Sequence, residues 1–271
     1  MANCITCGRQ LAPSPFGERN EVCPACRASA IDARTGYAPA PPPRVAARKL
    51  PPVTTILIAI NVAVYVAMVF SGVSPANPSI RDLLRWGADA GPLTLHGQLW
   101  RVLTSNYVHG GIIHIGLNMW CLWNLGGLAE RIFDRWTYFL TYTACGLAGS
   151  MASLWLHPMS VSVGASGAIF GIAGALIAAL YLGKLPVPPT ALRGTLKSLI
   201  TFAAYNLFFG AVVPVIDNSA HIGGLLAGLA IGAALARHLT SPPAARNAWR
   251  LAVFSVTAVL LGTGLSYLGR G

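Results

Sequence analysis

The chain has 271 residues, 54% of them hydrophobic and only 10% charged, with a mean hydropathy of +0.58. A soluble domain carries roughly 25% charged residues, so this composition excludes an ordinary soluble globule and points to a lipid bilayer. The net charge of +11 invites a nucleic-acid reading, but the basic residues are scattered through short segments between apolar runs. Nucleic acid is therefore not an expected partner, and the charges read as topology signals.

Residues 1–35 are polar and hold Cys4, Cys7, Cys23 and Cys26 as two C-x-x-C pairs with fifteen residues between them. That is the spacing of a four-thiolate zinc ribbon. Two disulfides would use the same residues, but a reducing cytoplasmic setting favours thiolates on metal. A site whose four ligands all come from protein has no open position, so the zinc is expected to be structural and catalysis to need no cofactor. Arg9, Arg19, Arg27 and Arg34 form only a thin basic set without an aromatic platform, so a protein partner or simple stability is the expected role. Residues 36–52 are a proline-rich linker, extended and semi-rigid.

Seven apolar runs follow, near 53–70, 107–127, 136–156, 166–182, 196–215, 219–236 and 250–268. Each is about 16 to 22 residues, close to the ~20 that cross a bilayer. No basic-then-apolar leader precedes them, so the first run is expected to act as its own signal-anchor. The stretch 71–106 is long, carries Trp86 and Trp100, and is partly amphipathic around 80–86, as an interfacial element would be. The predicted fold is an all-α polytopic membrane protein, with six helices over 53–240 and a seventh in 241–271.

Orientation follows from counting charges. With the N-terminus inside, fifteen of the nineteen basic residues face the cytoplasm, and only Arg81, Arg85, Arg101 and Arg270 face outward. The positive-inside rule thus places the N-terminus in the cytoplasm and the C-terminus outside. Short loops and a compact core suggest a bacterial cytoplasmic membrane.

The chemistry gathers at the outer ends of two runs. The fourth opens with Gly164-Ala165-Ser166-Gly167 and the sixth with Ala220-His221-Ile222-Gly223-Gly224. Both run from outside inward, so Ser166 and His221 sit at similar depth, where a hydroxyl and an imidazole can form a nucleophile–base pair. Gly167 and Gly171, and Gly224, Gly228 and Gly232, recur every four residues, which lets helix backbones approach closely in lipid. Serine and glycine at such spacing are also ordinary packing residues; a histidine inside a span is costly and usually functional. In the second run His114 and Asn118 are four apart and share a helix face, with His109 five residues ahead of His114. Neutral N–H donors of this kind suit the negative charge that develops on a carbonyl oxygen during acyl transfer, and they equally suit interhelical hydrogen bonding. None of the eight acidic residues lies mid-span; Asp217, four before His221, reads as a helix cap.

Taken together, His109, His114 and Asn118, the Gly164-Ala165-Ser166-Gly167 motif, and His221 before Gly223-Gly224 resemble the rhomboid family of intramembrane serine proteases. Trp100-Arg101 and Glu130-Arg131 extend the likeness over roughly 53–240. The resemblance implies a six-helix core, a water-filled cavity opening outward, and cleavage of transmembrane protein substrates near their transmembrane segments. It assigns Ser166 as nucleophile, His221 as base, and His114, Asn118 and the Ser166 backbone N–H as oxyanion hole. Phe170 matches the aromatic on which the histidine packs, Gly164 and Gly167 frame the serine, and His109 supports. Arg101 would anchor the long loop, and Glu130 would tie the second span to its neighbours. The other reading is an inactive rhomboid-like protein that binds membrane clients. A transporter would need mid-membrane charges or paired broken helices, and neither is present.

Overall fold

The computed structural model describes residues 3–11, 21–27, 30 and 51–270. The chain divides into two compact units, Met1–Lys49 and Leu50–Gly271. The proline-rich linker lies, up to residue 50, outside the described residues.

In the smaller unit two short turns bring the C-x-x-C pairs together. Asn3 and Gln10 form an antiparallel bridge, and the Cys4 N–H bonds to the Arg9 carbonyl at 2.8 Å. Gly8, at φ +72°, closes that turn, which a side-chain-bearing residue would strain.

The larger unit is helical. α1 is Pro52–Phe70, with proline at its first position where the missing N–H costs nothing. Thr54, Leu57, Asn61, Tyr65 and Met68 are buried at helical spacing, so one face packs inward and the rest meets lipid. Glu130 Oε1 accepts the Thr54 N–H at 2.7 Å and its hydroxyl at 2.8 Å, joining the head of α1 to the second span as expected. The 71–111 segment carries three short helices, α2 Ile80–Arg85, α3 Gly91–Thr94 and α4 Arg101–Thr104. Buried Arg101 staples them: its NH1 donates to Leu84 O at 2.7 Å and Ala88 O at 2.9 Å, and its Nε to Gln98 at 2.7 Å.

α5 is Ile112–Ile132, not 107–127 as the apolar run suggested. Gly111, at φ +123°, breaks the chain direction there, and a side chain on it would overlap Ala76 O. His109 is therefore in the preceding loop and His114 and Asn118 are on the helix. α6, Arg135–Leu156, is capped by Asp134, which accepts the Trp136 and Thr137 N–H groups.

α7, Ser166–Leu182, is the central helix. Thirteen of its seventeen residues are buried, so it meets little lipid. At ~1.5 Å per residue it rises about 25 Å, less than the ~30 Å hydrocarbon thickness, so its ends need not reach the surface. α8 is Pro189–Val212, α9 Asn218–Ala236 and α10 Pro243–Leu268. The glycine ladder does what its spacing predicts: side chains on Gly224, Gly228 and Gly232 of α9 would overlap Gly167 O, Gly171 O and Ala175 O of α7. The two helices thus touch backbone to backbone over two turns. α10 buries no residue fully and leans on the outside of the bundle, with Val253, Phe254 and Leu261 against Ala144, Cys145 and Ile231. Among the described residues six helices are long and apolar enough to cross a membrane, α7 being a shorter apolar seventh. The protein is an integral membrane protein.

Candidate active site

Ser166 is the first residue of α7, and His221 lies in the first turn of α9. The Ala220 carbonyl sits between helices: side chains placed on Gly149 and Gly167 would stand 2.7 and 3.3 Å from it. Backbone contact here is what lets the two helix heads converge. Phe170, one turn after Ser166 and so on its face, stacks on His221 with ring centroids 4.3 Å apart and planes at 13°. Phe202 of α8 backs Phe170 at 5.7 Å. The His221 ring thereby lies over the Ser166 face of α7.

Ser166 is half-buried and His221 is buried. No hydrogen bond joins them among the described residues, and His221 Nδ1 has no partner. Such pairs are commonly long without substrate and tighten when it binds. Asp217 does not reach the imidazole. Its carboxylate accepts the Ala220 N–H at 3.0 Å and the Ser162 hydroxyl at 2.5 Å, so it caps α9 and holds it to the strand-like segment leading to Ser166.

That segment is fixed from three sides. Ser162 and Asp89 exchange backbone hydrogen bonds at 2.9 and 3.0 Å, and the Gly164 N–H donates to Ser105 O at 2.9 Å. Gly164, at φ +111°, adopts a conformation that suits glycine alone, and a side chain there would come 2.7 Å from His114 Nε2 and Cε1. His114 Nδ1 accepts the Gly110 N–H at 3.2 Å. Its proton is therefore on Nε2, the atom facing Gly164, two residues before Ser166. Asn118 spends one amide N–H on His114 O at 2.9 Å and keeps the other. His109, fully buried, meets His114 edge-on at 5.2 Å and bonds Tyr107 O through Nδ1 at 3.3 Å.

Sequence reasoning missed the loop contribution. Asp89 is buried, receives the Thr94 hydroxyl at 2.5 Å, and leaves Oδ2 unpartnered. Burial pushes its carboxyl up to about 6, helped by the nearby charge of Asp217. No local pattern announces a contact between positions so far apart in the chain.

In the smaller unit the four cysteine sulfurs lie within 4.8 Å of one another, and none of the six cysteines is in a disulfide. Cys7 and Cys23 sulfurs are 3.7 Å apart, matching the ~3.8 Å between thiolates placed tetrahedrally ~2.3 Å from zinc. The Cys23 and Cys26 N–H groups point at Cys4 and Cys23 sulfurs, at 3.2 and 3.5 Å. The donor set and its geometry fit a closed tetrahedral metal ion. Cys121 and Cys145 are separate, within the helices.

These features define a polytopic membrane protein that carries a serine and a histidine in the first turns of two tightly packed helices. Comparison with known proteins agrees: the Rhomboid domain profile matches residues 96–238. The chain is 36% identical over 219 residues to the rhomboid protease GluP of Bacillus subtilis, covering 81% of this chain and 41% of that protein. It is 34% identical over 146 residues to RHOMBOID-like protein 4 of Arabidopsis thaliana, covering 54% of this chain and 36% of that one. Against Rhomboid-like protease 3 of Toxoplasma gondii it is 31% identical over 156 residues, covering 57% and 58%. The chain spans less than two thirds of the length of each. It belongs to the rhomboid family.

Proposed function

We propose that the protein is an intramembrane serine endopeptidase that cleaves transmembrane protein substrates with a Ser166–His221 dyad. The observation that carries this reading is the stacking of His221 on Phe170, one turn from Ser166, across a glycine-only helix contact. Ser166 Oγ attacks the scissile carbonyl carbon while its proton passes to His221 Nε2. The oxyanion so formed accepts from His114 Nε2–H, the free Asn118 N–H and the Ser166 backbone N–H. The C–N bond then breaks, His221 returns the proton to the departing amine, and water hydrolyses the acyl-serine by the same route in reverse. Asp217 is occupied as a cap, so the Phe170 face, not a carboxylate, holds the imidazole.

Zinc in the Cys4, Cys7, Cys23, Cys26 cluster serves as a structural clamp on the N-terminal module, whose surface is then available to a protein partner. The membrane is that of a bacterial cytoplasm, with the N-terminus inside and the C-terminus outside. The test is cleavage of a transmembrane substrate by detergent-purified protein and by its Ser166→Ala form. Cutting by wild type alone, unaffected by chelator, is expected; a wild type that binds substrates without cutting any would leave the client-binding reading in its place.

A further inference from the structure

At the end of the bundle away from Ser166, the α5–α6 turn, the end of α7, and the α9–α10 connection converge: a side chain on Gly183 would come 3.4 Å from Ala236 O. Phe133, Asp134, Thr137, His238, Arg246 and Arg250 line a cavity of about 90 Å³ there. A single water needs ~10–15 Å³ measured this way, so there is room for a compact polar group.

The two arginines are not equivalent. Arg250 NH1 bonds Asp134 Oδ1 at 2.7 Å. Asp134 also accepts from the Trp136 N–H, the Thr137 N–H and the Thr137 hydroxyl. Three of these four donors converge on Oδ1, so the acid of this cavity is engaged by Arg250 and its own helix cap, and no bond joins it to Arg246 Nε. Arg246 Nε is shut off from solvent and has no acceptor. Arg246 as a whole is only partly buried, so its head faces the cavity with an N–H left open, and its permanently charged planar fork suits a phosphate from outside the chain.

Two features favour a lipid phosphate over a free one. Just beyond Arg250, α10 exposes Leu251, Val256, Val259 and Leu260, a surface for acyl chains. The same end carries Arg131, Arg135, Lys184, Arg193, Lys197 and Arg237 on the adjoining helix ends, a field that gathers anionic headgroups.

We propose that this pocket binds the phosphate headgroup of an anionic phospholipid, with Arg246 as its principal ligand, joining α10 to the core through the lipid. The experiment uses full-length, delipidated protein in detergent. Thermal unfolding is followed with phosphatidylglycerol, phosphatidylcholine or inorganic phosphate added, for wild type and Arg246→Gln, and native mass spectrometry counts retained lipid on the same samples. Phosphatidylglycerol is expected to raise the wild-type Tm by a few degrees, as a ligand of the folded state does, and to remain bound. Arg246→Gln is expected to lose the shift and retain at most a tenth as much. Equal effects of phosphatidylcholine, or an undiminished effect in Arg246→Gln, would overturn the proposal. A full shift with inorganic phosphate alone would make this a free-anion site and overturn the lipid assignment. The mass count reads binding even where the variant is less stable.

Discussion

Gly224→Ala adds one methyl group at the contact that brings Ser166 and His221 together. The added carbon would overlap Gly167 O and stand 2.8 Å from Gly167 C and 3.2 Å from its Cα. All three are backbone atoms, so no rotamer change relieves the contact. Restoring separations of ~3.5 Å moves α9 from α7 by roughly 1 to 1.5 Å. Overpacking of this kind costs about 1–3 kcal/mol, and a ~1 Å misplacement of reacting groups costs on the order of a hundredfold in rate. The control is Gly262→Ala on α10, where an added carbon meets nothing within 4 Å and helix propensity gains up to ~1 kcal/mol. Initial cleavage rates and Tm in detergent distinguish the two. Gly224→Ala is expected to be slower by one to two orders of magnitude and less stable, and Gly262→Ala to match wild type in rate with an equal or slightly higher Tm. A Gly224→Ala enzyme at full rate would refute the claim that this contact sets the geometry of the pair.

His114→Ala removes an N–H aimed at the segment before Ser166, and kcat is expected to fall about a hundredfold or more with little change in KM; an unchanged kcat would remove His114 from the oxyanion hole. Asp89 carries the pH dependence. Its folded-state value of about 6 lies above the 3.8 of a free carboxylate, so the folded state favours the protonated form. The penalty, about 3 kcal/mol at most, is present in full above pH 6, shrinks as pH falls through 6, and is gone below about 4. Wild-type Tm relative to Asp89→Asn is therefore expected to rise from pH 8 to pH 5, and parallel curves would contradict this. Elemental analysis of purified protein is expected to find one zinc per chain, lost in Cys4→Ser with Cys7→Ser, while transmembrane cleavage continues; abolished cleavage on zinc removal would tie the metal to catalysis.

The spans were legible because lipid-facing helices are apolar almost all round, and even buried α7 reads as one continuous run. Their starts were not. α8 and α10 begin several residues ahead of the runs, at Pro189 and Pro243, because polar first turns such as Pro189–Arg193 fold as helix without adding hydropathy. The start of α5 was misplaced in the other direction: 107–111 carries no charged residue and so runs on from the apolar stretch, yet Gly111 turns the chain. Ser166 and His221 stood out because polar groups are scarce in such runs, and the glycine periodicity foretold the α7–α9 contact. The Asp89–Ser162–Asp217 linkage was invisible, since it joins residues from three separate connections through one backbone bridge and one side-chain hydrogen bond. The Arg246 pocket was equally hidden: nothing in the charge pattern tells an arginine paired with an acid, as Arg250 is, from one with an unpartnered Nε.

The dyad itself is tested most directly by covalent labelling. Full-length protein treated in detergent with a serine-directed fluorophosphonate is expected to gain one adduct by intact mass, mapped to Ser166. The adduct should be absent in Ser166→Ala and strongly slowed in His221→Ala. Labelling at another residue, or equal labelling without His221, would contradict a Ser166 activated by His221.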